Sequence, residues 1–131
     1  MIFNVASAIP GFSHVKTVEL KKIDDFFMQL KSGEDETSFT LINPYLLREY
    51  PFEIPSFYKE ILQIDKESAI LILNIMIVAK PIEHSTINFI APVIFNTDSK
   101  TMAQVLLDQE KYPDYGIMEG IKDYLKGNDE A

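Results

Sequence analysis

Between residues 87 and 96 the side chains alternate position by position, and this period of two restricts the chain to strand architectures more than any other feature. Ile87, Phe89, Ala91, Val93 and Phe95 form one wholly apolar face, and Asn88, Ile90, Pro92, Ile94 and Asn96 form the other. A strand sends successive side chains to opposite sides, whereas a helix would scatter both sets around its axis. Pro92 cannot donate to a ladder, so a bulge or a sheet edge is expected there.

The same period recurs elsewhere. In residues 26–31, Phe26, Met28 and Leu30 share one face while Phe27, Gln29 and Lys31 share the other. In residues 38–43, Phe39 and Leu41 oppose Ser38, Thr40 and Ile42. The polar stretch 32–37 between them contains Gly33 and reads as a hairpin loop. Residues 2–5 and 15–21 are weaker strands, residues 96–100 make a turn, and 102–107 form a short last strand. The run 69–79 is apolar at all but Asn74. A spanning helix needs roughly 20 apolar residues, so this run is expected to be a strand buried on both faces. Asn74 within it needs hydrogen-bond partners and is expected to complete a core network.

Two stretches change period. Ser56 after Pro55 is placed to cap a short helix lined on one side by Phe57, Ile61 and Leu62. Ile117, Ile121, Tyr124 and Leu125 recur at helical spacing ahead of Gly127, which predicts a C-terminal helix that Gly120 weakens. Several strands joined by short turns hide their edges best by closing. The expected fold is therefore mainly β: a small antiparallel barrel-like single domain over residues 1–131. One short helix follows the central proline-rich loop and another ends the chain.

Composition narrows function. Twenty acidic residues against 12 basic ones give a formal charge of −8, which opposes direct nucleic-acid binding because the counterion-release term is lost. A basic protein partner suits such a field better. No cysteine is present, which excludes a disulfide framework, a thiolate metal site and a cysteine nucleophile. No secretory signal or membrane anchor is read in the chain, so a cytoplasmic protein, monomeric when free, is expected.

Catalytic signatures are missing. The five glycines are scattered rather than gathered in a phosphate loop, and neither a nucleophile elbow nor a His-Glu-x-x-His pattern occurs. His14 and His84 lie far apart beside expected turns. Glu34-Asp35-Glu36 reads as a solvated loop. No enzyme, cofactor or metal site is expected, and the alternative is a small barrel enzyme or metabolite-binding protein.

Four ordered motifs carry a family resemblance. Ala8-Ile9-Pro10-Gly11-Phe12 resembles the G-I-P-G-F signature of FliW proteins. Residues 41–47 with Tyr50-Pro51-Phe52-Glu53-Ile54-Pro55 are similar to that family's central N-P-Y/F segment. Residues 85–96 resemble its T-x-N-L-x-A-P-I-x-x-N strand, and residues 103–108 with Tyr112 its closing x-Q-x-x-L-D-x-x-x-Y element. The set covers about residues 8–115, leaving 116–131 as a tail. The first motif lacks its first glycine and begins at Ala8. The resemblance implies a barrel-like fold, no catalysis, and two protein partners: flagellin and the translational regulator CsrA, a small basic RNA-binding dimer. It further implies antagonism of CsrA that couples flagellin synthesis to secretion.

Gly11 between Pro10 and Phe12 suits a turn, and Asn43-Pro44 a strand end. Tyr45, Tyr50, Phe52 and Phe57 concentrate aromatic surface in a proline-punctuated loop, which is either packed or a binding surface. Residues 108–131 carry seven carboxylates against three lysines and are the best candidate to meet a basic surface. The expected protein-binding residues are Tyr45, Tyr50, Phe52, Glu53, Asn88, Asp108, Glu110 and Tyr112. Flagellin's apolar helical segment is expected to dock in a groove rather than beside charges.

Overall fold

The computed structural model describes residues 1–124. Its strands are β1 (Ile2–Ser7), β2 (Thr17–Lys22), β3 (Phe27–Ser32), β4 (Ser38–Ile42), β5 (Ile70–Ile77), β6 (Thr86–Ile87), β7 (Val93–Asn96), β8 (Thr101–Gln104) and β9 (Glu119–Gly120). A short helix, α1 (Ser56–Ile61), follows the central loop. Pairing runs β4-β3-β2-β1-β8-β7-β5, and β4 pairs again with β5, closing seven strands into a barrel. The expectation of an antiparallel barrel holds for every pair but β1–β8, which is parallel. β6 and β9 extend from β5 as a short flap.

Every barrel strand contributes to one apolar cluster: Phe3, Val18, Leu30, Leu41, Leu73, Phe95 and Met102 all belong to it. Only the inside of a closed sheet brings all seven strands together, so these side chains fill the interior. Phe3 and Phe95 meet edge to face, ring centroids 4.9 Å apart. A second cluster lies on the outer wall, where Ile42, Ile94 and Ala103 follow inward neighbours by one residue and support Tyr50, Leu62, Phe89 and Tyr115. β5 serves both layers, with Leu71, Leu73 and Ile75 inward and Ile70, Ile72 and Met76 outward. This is why its sequence is apolar without alternation.

The alternating segment 87–96 is not one strand. It breaks between β6 and β7 because the N–H groups of residues 89–91 bond away from the ladder. The Phe89 and Ile90 N–H groups donate to the Gly116 carbonyl, and the Ala91 N–H donates to Asn88 Oδ1 at 3.2 Å. Pro92 has no N–H to offer, and its carbonyl accepts from Val105 N–H at 2.8 Å.

The C-terminal helix expected over 116–131 differs as well. Glu119–Gly120 pairs with Thr86–Ile87, so Gly120 sits in a strand, and helical backbone starts only at residues 122–124. The exposed edge of β6 takes a partner, and that pairing overrides the local helical spacing. Leu125, Gly127 and the remaining tail lie outside the described residues. α1 also departs in detail: no side chain caps it, and Phe57 is exposed while Leu62 is fully buried.

The β3–β4 hairpin is tied to β2 by its carboxylates. Glu34 accepts from the N–H groups of Lys16 and Thr17 at 2.8 and 3.0 Å, and Asp35 accepts from Thr37 N–H and faces His14 Nε2 at 2.7 Å. Backbone donation lowers both acids, Asp35 to about 2. A depressed carboxylate contributes stability above its unfolded pKa and loses it as pH falls through the folded value. Between about pH 4 and pH 2 the urea midpoint of the wild type is therefore expected to fall more steeply than that of Asp35→Asn. Parallel curves would show that the hairpin contacts do not couple to folding.

Candidate functional site

The central loop leaves β4 at Asn43, whose Oδ1 accepts from Tyr45 N–H at 3.0 Å and starts a one-turn 3-10 helix over Pro44–Leu46. Pro44 at the first position fixes the turn. The loop then folds back on the outer wall, and Tyr50 is its anchor, 2% exposed. The Tyr50 hydroxyl donates to the Phe89 carbonyl and accepts from Asn74 Nδ2 at 3.1 Å. Asn74 also donates to the Asn88 carbonyl at 2.8 Å. The expected core network around Asn74 is thus present at its amide nitrogen, which joins the loop to the β6–β7 break, whereas Asn74 Oδ1 is buried with no partner.

Aromatic rings radiate from Tyr50. Phe52, Phe89 and Tyr115 lie with centroids 4.8–5.5 Å away at inclined angles. Tyr45, 52% exposed, meets Tyr50 edge-on from outside. Tyr115 stacks on Tyr112 with planes 4° apart, and its hydroxyl donates to the Pro51 carbonyl at 2.6 Å. The Glu53 N–H donates to the Tyr112 hydroxyl at 2.9 Å. Loop 48–53 and loop 111–115 thereby face each other across a cleft of about 610 Å³ lined by Phe52, Glu53, Tyr112, Asp114 and Tyr115 among others.

Arg48, the only arginine in the sequence, lies at the base of this cleft between the faces of Phe89 and Tyr115, at 5.4 and 4.9 Å from their centroids. Glu119 approaches it at 3.8 Å, and Lys111 pairs with Glu53 at 3.6 Å. Both cleft cations thus have acidic partners. Among the described residues, Glu49 and Asp114 have no cation within salt-bridge distance, so the rim stays acidic. Burial raises the phenols of Tyr45, Tyr50, Tyr115 and Tyr124 above their usual value. At neutral pH these groups stack and exchange hydrogen bonds; they do not act as bases.

Of the eight residues expected to bind partners, Phe52, Glu53 and Tyr112 line the cleft, Tyr50 supports it and Tyr45 stands beside it. Asp108 and Glu110 lie on the exposed turn leading into Tyr112, where Asp108 Oδ1 accepts from Glu110 N–H at 2.9 Å. Asn88 is elsewhere. It lines a second surface, a groove of about 520 Å³ bounded by Ile9, Phe12, Phe39, Ile77, Leu106 and Ile117. No charged side chain lines it, and Ile77, Leu106 and Ile117 are 59–67% exposed. Sequence reasoning missed Arg48, Glu119 and the groove. Arg48 had a signal in being unique; the groove had none, because its walls come from six separate segments.

A family model described as FliW protein matches residues 1–115. Flagellar assembly factor FliW 2 of Wolinella succinogenes is 50% identical over 129 residues, covering 98% of this chain and 95% of its own. Flagellar assembly factor FliW of Sulfurimonas denitrificans is 52% identical over 127 residues, covering 96% and 99%. A crystal structure of the flagellar assembly factor FliW superposes with a TM-score of 0.82 at 27% identity, over 92% of this chain and 84% of that one.

Proposed function

The chain belongs to the FliW family of flagellar assembly factors, and on that premise we propose that it binds flagellin and the translational regulator CsrA in the cytoplasm. In this reading it restrains CsrA until unsecreted flagellin captures it. No reaction is involved. The observation that carries the reading is the pair of surfaces with different chemistry on a barrel whose interior is filled. The filled interior also counts against the alternative of a metabolite site inside the barrel.

The uncharged groove suits the apolar face of a flagellin helix, which gains by removing surface from water and needs no charge partner. The aromatic cleft suits a basic segment. Its rim carboxylates attract cations, while Tyr112 and Phe52 offer ring surface on which arginine and lysine stems pack. Among the described residues no helix is long and apolar enough to cross a membrane.

The two contacts are expected to respond differently to salt. Raising salt from about 0.05 to 0.5 M shortens the Debye length severalfold. CsrA affinity is then expected to fall about tenfold or more, because rim charges are screened. Flagellin affinity is expected to stay within about twofold. Equal salt slopes for both partners, measured by titration of the purified proteins, would contradict the assignment of surfaces.

A further inference from the structure

Residues 49–55 cross the outer wall without a turn or a bend. Tyr50 and Ile54 each precede a proline, which drives them to extended backbone. Burial alternates along the segment: Tyr50, Phe52 and Ile54 pack against the outer cluster, while Glu49, Pro51, Glu53 and Pro55 are exposed. Residues 50–55 thus have the side-chain period of a strand. Among the described residues they pair with no other strand.

An extended chain turns the backbone groups of successive residues to opposite edges. The edge at Pro51 and Glu53 is occupied. The Pro51 carbonyl accepts from the Tyr115 hydroxyl at 2.6 Å, and the Glu53 N–H donates to the Tyr112 hydroxyl at 2.9 Å. Both prolines lie on this edge, so neither removes a donor from the other one. The edge at Phe52 and Ile54 is complete and unused: among the described residues, their N–H and C=O groups have no hydrogen-bond partner. A depression of about 450 Å³ lies beside it, walled by Tyr45, Glu49, Ile54 and Ile72 and by none of residues 111–115.

We propose that the edge 52–54 takes an extended, basic segment of a partner protein as an added β-strand. Backbone bonds to Phe52 and Ile54 supply the attachment, and the alternating side chains of the added strand supply the selection. One set of these faces Tyr45, Ile54 and Ile72 and gains by being apolar. The other projects beside the exposed carboxylates of Glu49 and Glu53 and gains by being basic. Lys111 pairs with Glu53 at 3.6 Å, while Glu49 has no cation within salt-bridge distance among the described residues. A second copy of this chain is the poorer occupant, because its own formal charge of −8 opposes the same carboxylates. The added strand deepens the reading of this face as the seat of a basic partner and rests on it for its biological meaning.

The test follows amide exchange with solvent by NMR in the full-length chain. In the free chain the Phe52 and Ile54 amides are expected to exchange freely and the Glu53 amide slowly. The probe is the acetylated, amidated hexapeptide Arg-Val-Arg-Val-Arg-Val, and its control carries glutamate for arginine. At saturation the basic peptide is expected to slow Phe52 and Ile54 about tenfold and leave Glu53 unchanged. The acidic peptide is expected to do neither, and Glu49→Lys is expected to weaken the basic one about fivefold. No binding of the basic peptide, or binding that leaves both amides fast, would overturn the proposal. Protection that rises with the concentration of the chain alone would make the occupant a second copy and overturn it equally. CsrA is added last. If the peptide protects the edge and CsrA does not bind, the docking strand stands and the partner assigned above falls. If CsrA binds and leaves both amides fast, the docking strand falls and that partner stands.

Discussion

Replacing Tyr50 with alanine is expected to cost about 5 kcal/mol, most of the stability of an ordinary domain of this size. Truncating a buried aromatic costs about 3–5 kcal/mol through lost transfer energy and the cavity left behind. Tyr50 adds a polar loss to this. Without its hydroxyl, the Phe89 carbonyl and Asn74 Nδ2 each lose a partner, and an unsatisfied buried group costs about 1–3 kcal/mol. Tyr50→Phe isolates that second part, so it is expected to lower stability by about 1–3 kcal/mol while the aromatic cluster stays packed. Urea unfolding of the two variants separates the contributions. A Tyr50→Phe variant as stable as the wild type would mean that the Asn74 network is not satisfied through Tyr50. Alkaline unfolding gives a further check. Burial raises the Tyr50 phenol above its usual 10.0, so its stability contribution is full below that value and is lost as pH rises through the folded pKa. Tyr50→Phe is expected to flatten this alkaline loss.

Leu106→Glu is expected to weaken flagellin binding by about a hundredfold or more while leaving CsrA binding within about threefold. Leu106 is exposed on the groove, so the free protein accommodates a carboxylate in water at little cost to folding. Docking of an apolar helix would cover that charge with no cation nearby, since the groove lining is uncharged. An uncompensated buried charge costs about 3–5 kcal/mol. Leu106→Gln has a similar size and no charge, and is expected to lose markedly less. Flagellin affinity unchanged in Leu106→Glu would take the helix out of this groove.

The legible part of the fold was the part written locally. Alternation along β3 and β4 identified the strands and sorted their side chains into two faces, and the unalternating run of β5 announced a strand covered on both sides. Closure followed from the need to hide edges. The break in 87–96 was less visible. Pro92 marked it, but the acceptors that stabilise it are Asn88 Oδ1 and the carbonyl of Gly116, over twenty residues away. Residues 117–121 failed for the converse reason: their helical spacing was real, but the unpaired edge of β6 outbid it and made a strand of Glu119–Gly120.

The candidate site divides in the same way. The aromatic loop was conspicuous in sequence, and Tyr50, Phe52, Glu53 and Tyr112 do converge on one cleft. Whether they packed or were displayed depended on burial, and the structure separates them: Tyr50 packs, whereas Tyr45 and Glu53 are displayed. Asn88 was grouped with these residues but stands at the other surface. Its backbone carbonyl nevertheless holds Asn74, and through it Tyr50, so the two surfaces share a buried network. The groove itself was silent in sequence, because Ile9, Phe39, Ile77, Leu106 and Ile117 each look like ordinary apolar residues until the barrel brings them together.

The central claim is that one small acidic barrel exchanges two protein partners. Isothermal titration of the purified chain tests it most directly, against flagellin and CsrA from the same organism separately, and then against each in the presence of saturating amounts of the other. The account predicts about micromolar or tighter binding to both, with each partner lowering the other's apparent affinity by the same factor. Independent binding of both at once would contradict the exchange, and silence with both from folded material would contradict the functional reading as a whole.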